Sequence, residues 1–350
     1  MKNWKQCIIS KTSSIQEAMS AIDRGKIQIA LVCDAESGRL IGTVTDGDVR
    51  RSILSRISID EPITKIMNPR PVTATVNDSR EQILNLMRKK AIHQIPVVDG
   101  CNKLIRIEVS PALLLSLPLN NKVILMAGGL GSRLKPLTDN CPKPLLKVGK
   151  KPLLETILER FIEQGFQYFY IAINYKAQMI EDYFGDGVKW NIEIRYLREQ
   201  KPMGTAGALT LLSETPNEPF LVMNGDVLTQ INFRQLLDFH TSNNAFATMC
   251  VREHDFQVPY GVVQIDHHRI VSIDEKPIQK FFVNAGIYIL NPLTLDLIQK
   301  NIPLDMPSIF RSLMKQSKEI IVFPIKEYWK DIGQIQDFYQ ANGDFNNFFS

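Results

Sequence analysis

VILMAGGLGSRLKPLTDNCPKPLLK, residues 123–147, is the stretch on which the reading of this chain turns. Its apolar start, VILMAG, predicts a buried strand. A glycine-rich turn follows, Gly128-Gly129-Leu130-Gly131, and then the cations Arg133, Lys135, Lys143 and Lys147. Glycines let main-chain N–H groups close around phosphate oxygens without a Cβ in the way. The cations offset the charge of a nucleoside triphosphate. A P-loop needs Lys-Ser or Lys-Thr at a spacing absent here. A dinucleotide fingerprint read from Gly129 puts Leu134 where its third glycine belongs. The plain alternative is an ordinary strand-to-helix turn with surface lysines.

The segment resembles the signature GGxGxRLxPLTxxxPKPL of sugar-1-phosphate nucleotidyltransferases and matches every fixed position. The resemblance covers residues 122–350. It implies transfer of a nucleotidyl group from an NTP to a sugar 1-phosphate, with pyrophosphate leaving. The attacking phosphate oxygen is already an anion, so no general base is required. Such an enzyme works by positioning two polyanions and neutralising their charge. The sequence is therefore searched for anion binders and metal carboxylates.

Outward from this stretch the pattern stays α/β. FYIAIN, IEIRYL, FLVMN, FATMCV, GVVQI, FVNAGIYIL and IIVFPI read as strands, and LLETILERFIEQ as an amphipathic helix with Leu154, Ile157, Leu158, Phe161 and Ile162 on one face. The alternation predicts a mainly parallel, doubly wound sheet with helices on both faces. In such sheets ligands sit beyond the carboxyl ends of the strands, and every candidate motif falls at such a junction. By the resemblance the fold is that of the nucleotide-diphospho-sugar transferases.

Asp226 ends the strand in FLVMNGD and matches the family's strand-G-D metal motif. Asp331, in YWKDIG, matches W-x-D-x-G, whose Asp completes the metal site. The implied cofactor is Mg²⁺, which takes one or two carboxylates with phosphates and waters. Each Asp also has a plainer reading, Asp226 as a turn residue and Asp331 as a helix N-cap. Arg133 and Lys143 are the candidates for charge stabilisation. Arg offers a forked, always-charged donor set, and prolines on both sides stiffen Lys143. Lys135 and Lys147 read as solvated or supporting.

The resemblance implies a nucleotide site at Ala127, Gly128, Gly129, Gly131, Ser132 and Arg133, continued by Glu199, Pro202, Gly204 and Thr205 of EQKPMGTAG. This last loop is similar to E-x-x-P-L-G-T-A-G, which holds base and ribose. Met203 replaces the usual Leu at similar volume. The sugar-phosphate side is implied at Lys143, Gly261, Glu275, Lys276 and Asn284. Asn174 and Tyr175 end another strand, where packing and function are equally plausible. The histidines, His240, His254, His267 and His268 among them, show no metal spacing that meets another motif and read as surface or structural residues.

Residues 1–118 carry a weak internal repeat, over about 1–60 and 61–118. KIQIALVCDAESGRLIGTVTDGDV parallels AIHQIPVVDGCNKLIRIEVSPAL, with apolar runs ending at Asp34 and Asp99. Each copy follows a helical pattern, SIQEAMSAIDRG or SREQILNLMRKK, the second with Ile83, Leu86 and Met87 at helical spacing and Ser79 as cap. Two such α–β–β units resemble an α+β tandem of CBS domains, which sense adenosyl or guanosyl nucleotides. GTVTDGD fits the pattern in which a hydroxyl and a carboxylate hold a ribose, here Thr45 and Asp48. Val109 and Ala112 occupy the equivalent places in the second copy and cannot hydrogen-bond a ribose, so one regulatory nucleoside site at most is expected. A pair that only supports dimerisation is the alternative. Between the regions, Ser110-Pro111 and Leu117-Pro118 break regular structure, and the apolar ALLLSLPL is expected to pack on a neighbour.

Composition is that of an ordinary globular chain, 44% hydrophobic and 22% charged, and 350 residues suggest two domains. A net charge of +4 without a long basic block gives no sign of a nucleic-acid partner. No apolar run approaches the roughly 18 residues that span a bilayer, and the N-terminus lacks a signal-peptide pattern. Five scattered cysteines without C-x-x-C read as reduced thiols in a cytoplasm. The expectation is a cytoplasmic homo-oligomer using an NTP, with GTP favoured. PMGTAGAL and NYKAQMIEDYFGDG resemble the guanylyl branch. CBS pairs fused to that branch resemble glucosamine-1-phosphate guanylyltransferases of nonulosonate synthesis, which points to glucosamine 1-phosphate. Mannose 1-phosphate is the first alternative. A nucleotide-sensing regulator without catalysis is a second, though it should have lost Arg133, Lys143, Asp226 or Asp331.

Overall fold

Both halves of the sequence repeat build the same small unit. In the first, β1 (Ile8–Ser10) runs parallel to β2 (Ile29–Cys33), which pairs antiparallel with β3 (Leu40–Thr45). In the second, β4 (Ala74–Thr75) runs parallel to β5 (Gln94–Val98), which pairs antiparallel with β6 (Leu104–Val109). A register shift interrupts each hairpin at the equivalent place, Val32/Cys33 and Val97/Val98. Helix α1 (Ile15–Gly25) and helix α3 (Arg80–Lys90) make the parallel crossovers, with α2 (Asp46–Leu54) following β3. Both crossover helices start on a reciprocal serine cap, Ser14 with Glu17 and Ser79 with Gln82. The halves join edge to edge: Leu40 N–H donates to Asn102 O, and Asn102 Nδ2 donates back to Leu40 O at 2.8 Å. Val98 of the second half packs with Cys7, Ile27, Leu31 and Leu40 of the first.

This computed structural model describes residues 4–90, 92–110 and 118–349. Two compact units emerge, Met1–Leu117 and Pro118–Ser350. The expected packing of ALLLSLPL falls mainly on residues 111–117, outside the described residues, as does Ala112.

In the second unit β7 (Val123–Met126) is followed by a short hairpin, β8 (Lys147–Val148) with β9 (Lys151–Pro152). Then come β10 (Tyr168–Ile173), β11 (Glu193–Arg198), β12 (Phe220–Asn224), β13 (Val227–Thr229), β14 (Ala247–Gln257), β15 (Val262–Asp266), β16 (Arg269–Asp274), β17 (Ile278–Leu290), β18 (Ile320–Ile325) and β19 (Trp329–Asp331). Seven of these form one sheet in the order β11-β10-β7-β12-β17-β14-β18. It is mainly parallel, as expected, but β17 runs antiparallel to both neighbours. The reason is the link from β14: an antiparallel neighbour can be reached without the crossover helix that a parallel one needs.

Side chains of β7 alternate between two cores. Val123 and Leu125 join the layer of Leu154, Phe161 and Phe169, while Ile124 joins that of Ile309, Phe310 and Leu313. Burial on both faces is why the strand reads as an unbroken apolar run. Beyond the sheet β14 and β17 continue as an arm that carries β15–β16. Phe256, Ile265, Ile270 and Ile273 of this arm are 53–69% exposed. No helix among the described residues is long and apolar enough to cross a membrane.

Candidate active site

The parallel strands β11, β10, β7 and β12 end side by side, and their loops meet in a cleft of about 260 Å³. Its lining includes Ala127, Gly128 and Gly129 from the glycine-rich turn, Lys143, and Asp226. Glu199, Pro202, Gly204 and Thr205 close it on the β11 side. Residues from four places in the chain thus share one space. The remaining nucleotide candidates, Gly131, Ser132 and Arg133, are not among the lining residues; Ser132–Leu134 form a short 3-10 turn beside them, anchored by buried Leu134.

Hydrogen bonds outside the cleft hold its loops. Thr138 Oγ1 donates to Gly131 O at 2.9 Å, Tyr175 Oη to Thr138 O at 3.2 Å, and Lys176 Nζ to Asp139 O at 2.6 Å. Asn174 Nδ2 donates to Glu199 O at 2.8 Å. Asn174 and Tyr175 therefore brace the two loops beside the cleft. The loop that follows β11 is clamped from a distant segment: Ala206 and Gly207 donate to Leu304 O, and Met306 N–H donates to Thr205 Oγ1. Gly204 has φ +74°, and a Cβ there would lie 2.6 Å from Leu304 O, so this turn admits only glycine without strain. Nothing in the sequence signalled the clamp, because its partners lie about a hundred residues away.

Glu199 stands against Gly128, where a Cβ would fall 2.7 Å from its Oε1. Burial raises its carboxyl pKa, opposed by the Met203 N–H that donates to Oε2 at 2.8 Å. Lys143 and Asp226, both partly buried, form an ion pair at 2.6 Å. Asp331 joins them through the backbone: β13 pairs with β19, Val227 lies opposite Asp331, and Ile332 N–H donates to Asp226 O. The Asp331 side chain is open on one side, yet enough protein surrounds it to raise its pKa, and the negative charge of Asp226 adds to this. Lys143 and Arg133 oppose the shift. Arg133 Nη1 and Asp331 Oδ2 both lie close to Gly333, within 3.7 and 3.8 Å of where its Cβ would be. Asp331 does not cap the final helix, Ile335–Phe348; Gln334 occupies that position, with Asp337 accepting its N–H. Two carboxylates that repel one another beside an ion-paired lysine are a donor set suited to a divalent cation. Among the described residues no cluster of three or more metal-ligating side chains exists. Such a cation would thus draw its other ligands from phosphate and water.

Gly261, Glu275 and Lys276 are not among the residues that line this cleft. They sit exposed at the base of the β15–β16 hairpin, with Gly261 and Glu275 adjacent to one another. Asn284 also lies outside the lining. Its Nδ2 donates to Tyr288 Oη at 2.8 Å and its Oδ1 accepts Gly286 N–H at 3.0 Å. Sequence reading passed over Asn224, which does line the cleft. It stands two residues before Asp226, and that proximity was the available signal.

In the first unit Thr45 and Asp48 face each other as the capping box of α2. Thr45 Oγ1 donates to Asp48 Oδ2 at 2.7 Å, Asp48 N–H donates to Thr45 Oγ1, and Arg51 pairs with Asp48 Oδ1. Of the histidines, His240 is buried against Thr248 with its pKa pushed down to about 4 by desolvation, and His254, His267 and His268 are exposed. All five cysteines are free thiols.

Residues 122–347 match the nucleotidyl transferase family, and residues 5–55 and 63–107 each match the CBS domain. The chain belongs to the nucleotidyl transferase family. It is 35% identical over 225 residues to the mannose-1-phosphate guanylyltransferase catalytic subunit beta of Drosophila melanogaster, covering 62% of this chain and 60% of that one. It is 34% identical over 228 residues to the mannose-1-phosphate guanyltransferase of Saccharomyces cerevisiae, covering 62% of each. The chain thus spans about three fifths of the length of these curated relatives. Among solved structures it resembles HddC from Yersinia pseudotuberculosis complexed with GMP-PN, with TM-score 0.50 and 27% identity over 64% of this chain and 99% of that one. A putative glucose-1-phosphate thymidylyltransferase from Bacillus anthracis shares the fold, with TM-score 0.52 and 24% identity over 63% of this chain and 94% of that one.

Proposed function

We propose that this nucleotidyl transferase family member joins the nucleotidyl group of GTP to a sugar 1-phosphate and releases pyrophosphate. The observation that carries the reading is the single cleft shared by the glycine-rich turn, the Lys143–Asp226 pair and the Glu199–Thr205 loop. A phosphate oxygen of the sugar 1-phosphate attacks the α-phosphorus, and the bond to the β-phosphate oxygen breaks. Main-chain N–H groups of Gly128 and Gly129 and the Lys143 ammonium would face the phosphates, and Arg133 would take charge developing on the leaving group. Asp226 and Asp331 would hold Mg²⁺, which supplies positive charge at the phosphates when bound. Glu199, Pro202, Gly204 and Thr205 would hold base and ribose.

Guanine is favoured by the names of the curated relatives and by the GMP-PN complexed with HddC. The same names favour mannose 1-phosphate over the glucosamine 1-phosphate suggested by sequence. The test is a matrix of GTP, ATP, UTP, dTTP and CTP against mannose, glucosamine and glucose 1-phosphates, scored by pyrophosphate release. The highest kcat/KM is expected for GTP with mannose 1-phosphate. A higher value for a pyrimidine triphosphate would overturn the guanine assignment, and absence of release in every cell would overturn the transfer reading.

A further inference from the structure

Asn224 ends β12, the strand that presents Asp226, and belongs to the cleft lining. Its Oδ1 is buried and has no hydrogen-bond partner among the described residues. A buried amide oxygen left unpaired is costly, and a ligand donor relieves that cost when it arrives. The neighbouring strand makes room for this side chain. Gly286 on β17 has φ +71°, and a Cβ there would lie 2.7 Å from Asn224 Nδ2.

Strand order gives the direction of approach. Along the carboxyl edge, β11 and β10 supply Glu199 and Asn174 on one side, β7 and β12 supply the glycine-rich turn and Asp226 in the middle, and β17 lies on the other side. The amide of Asn224 abuts β17, so it faces away from the base loop. Asn284, the amide expected to serve this side, already uses Nδ2 on Tyr288 and Oδ1 on Gly286. The buried amide oxygen without a partner at this end of the cleft is that of Asn224.

We propose that Asn224 is a specificity-determining residue that hydrogen-bonds a ring hydroxyl of the sugar 1-phosphate, next to the phosphate that Lys143 would face. A hydroxyl both donates and accepts, so it can satisfy either edge of the amide. The inference rests on the nucleotidyl-transfer reading for its substrate and deepens it.

The test uses the full chain and its Asn224→Leu variant with GTP, mannose 1-phosphate and the monodeoxy analogues of that sugar phosphate. Asn224→Leu is expected to lower kcat/KM for mannose 1-phosphate by about 10- to 100-fold, the effect of losing one buried hydrogen bond. The KM for GTP and the melting temperature should hold. Removing the recognised hydroxyl should cost the wild type a similar factor and cost the variant nothing further. Unchanged sugar kinetics would overturn the proposal. So would a loss confined to GTP and reproduced by 2′- or 3′-deoxy-GTP, which would place the ribose there instead. A wild type that releases no pyrophosphate fails the transfer reading separately. Calorimetric titration with mannose 1-phosphate then decides the inference: weaker binding by Asn224→Leu supports it, and equal or absent binding in both proteins overturns it.

Discussion

Lys143 and Asp226 are 83 residues apart in sequence and 2.6 Å apart in the fold. Their pairing brings the PKP and NGD segments together. Each proline-stiffened or strand-terminal backbone delivers one charge to the same point. Asp331 adds a second negative charge beside Asp226, and its pKa is raised first by burial and then by that neighbouring charge. The arrangement is unfavourable to the empty protein and favourable to one that holds a cation. Asp331→Asn should therefore separate function from stability. Turnover at saturating Mg²⁺ is expected to fall by several orders of magnitude, while the melting temperature without metal does not drop. Near-normal turnover would remove Asp331 from the metal site.

At the scale of an element, α2 shows a motif with two readings. TDGD fits a ribose-binding pattern, and in the fold it makes the capping box of a helix, with both carboxylate oxygens of Asp48 engaged. The cap satisfies N–H groups that the first turn of a helix leaves unpaired. Asp48→Ala in the full chain should cost about 1 kcal/mol of stability from the cap alone. A thermal-shift screen with AMP, ADP, ATP, GMP and GTP adds the second measurement, because a ligand of the native state raises its melting temperature. The shift given by the preferred nucleotide is expected to disappear in Asp48→Ala. A shift that survives unchanged would leave Asp48 with the cap as its sole role.

At the scale of the whole molecule, each of the two compact units has buried cores of its own. Phe161, Phe169 and Leu154 anchor one layer and Ile309, Phe310 and Leu313 the other, all within residues 118–350. In the N-terminal unit Cys7, Ile27 and Leu31 belong to one core and Ile83, Met87 and Ile95 to another. A chain of residues 118–350 alone is expected to unfold cooperatively and to keep kcat within about threefold of the full chain in the absence of nucleotide effectors, since a domain with its own core can fold alone. Loss of cooperative unfolding in this fragment would show that the N-terminal unit completes the catalytic fold.

The sequence by itself determined the α/β architecture, the repeat and the glycine-rich turn. Each rests on local physics: apolar periodicity marks strands and helices, and glycine with clustered cations marks an anion site within a few residues. It also placed Ala127, Gly128, Gly129, Lys143, Glu199, Pro202, Gly204, Thr205 and Asp226 among the residues that line one cleft. Tertiary structure decided what depends on distant partners. The antiparallel course of β17, the Leu304–Met306 clamp and the braces from Asn174 and Tyr175 are set by strand pairing and by hydrogen bonds across the fold. It also left Gly261, Glu275 and Lys276 on an exposed arm and brought Asn224 into the cleft. A side chain's hydrogen-bonding capacity is spent or spare only once its neighbours are known, which is why Asn284 was expected at the site and Asn224 was passed over.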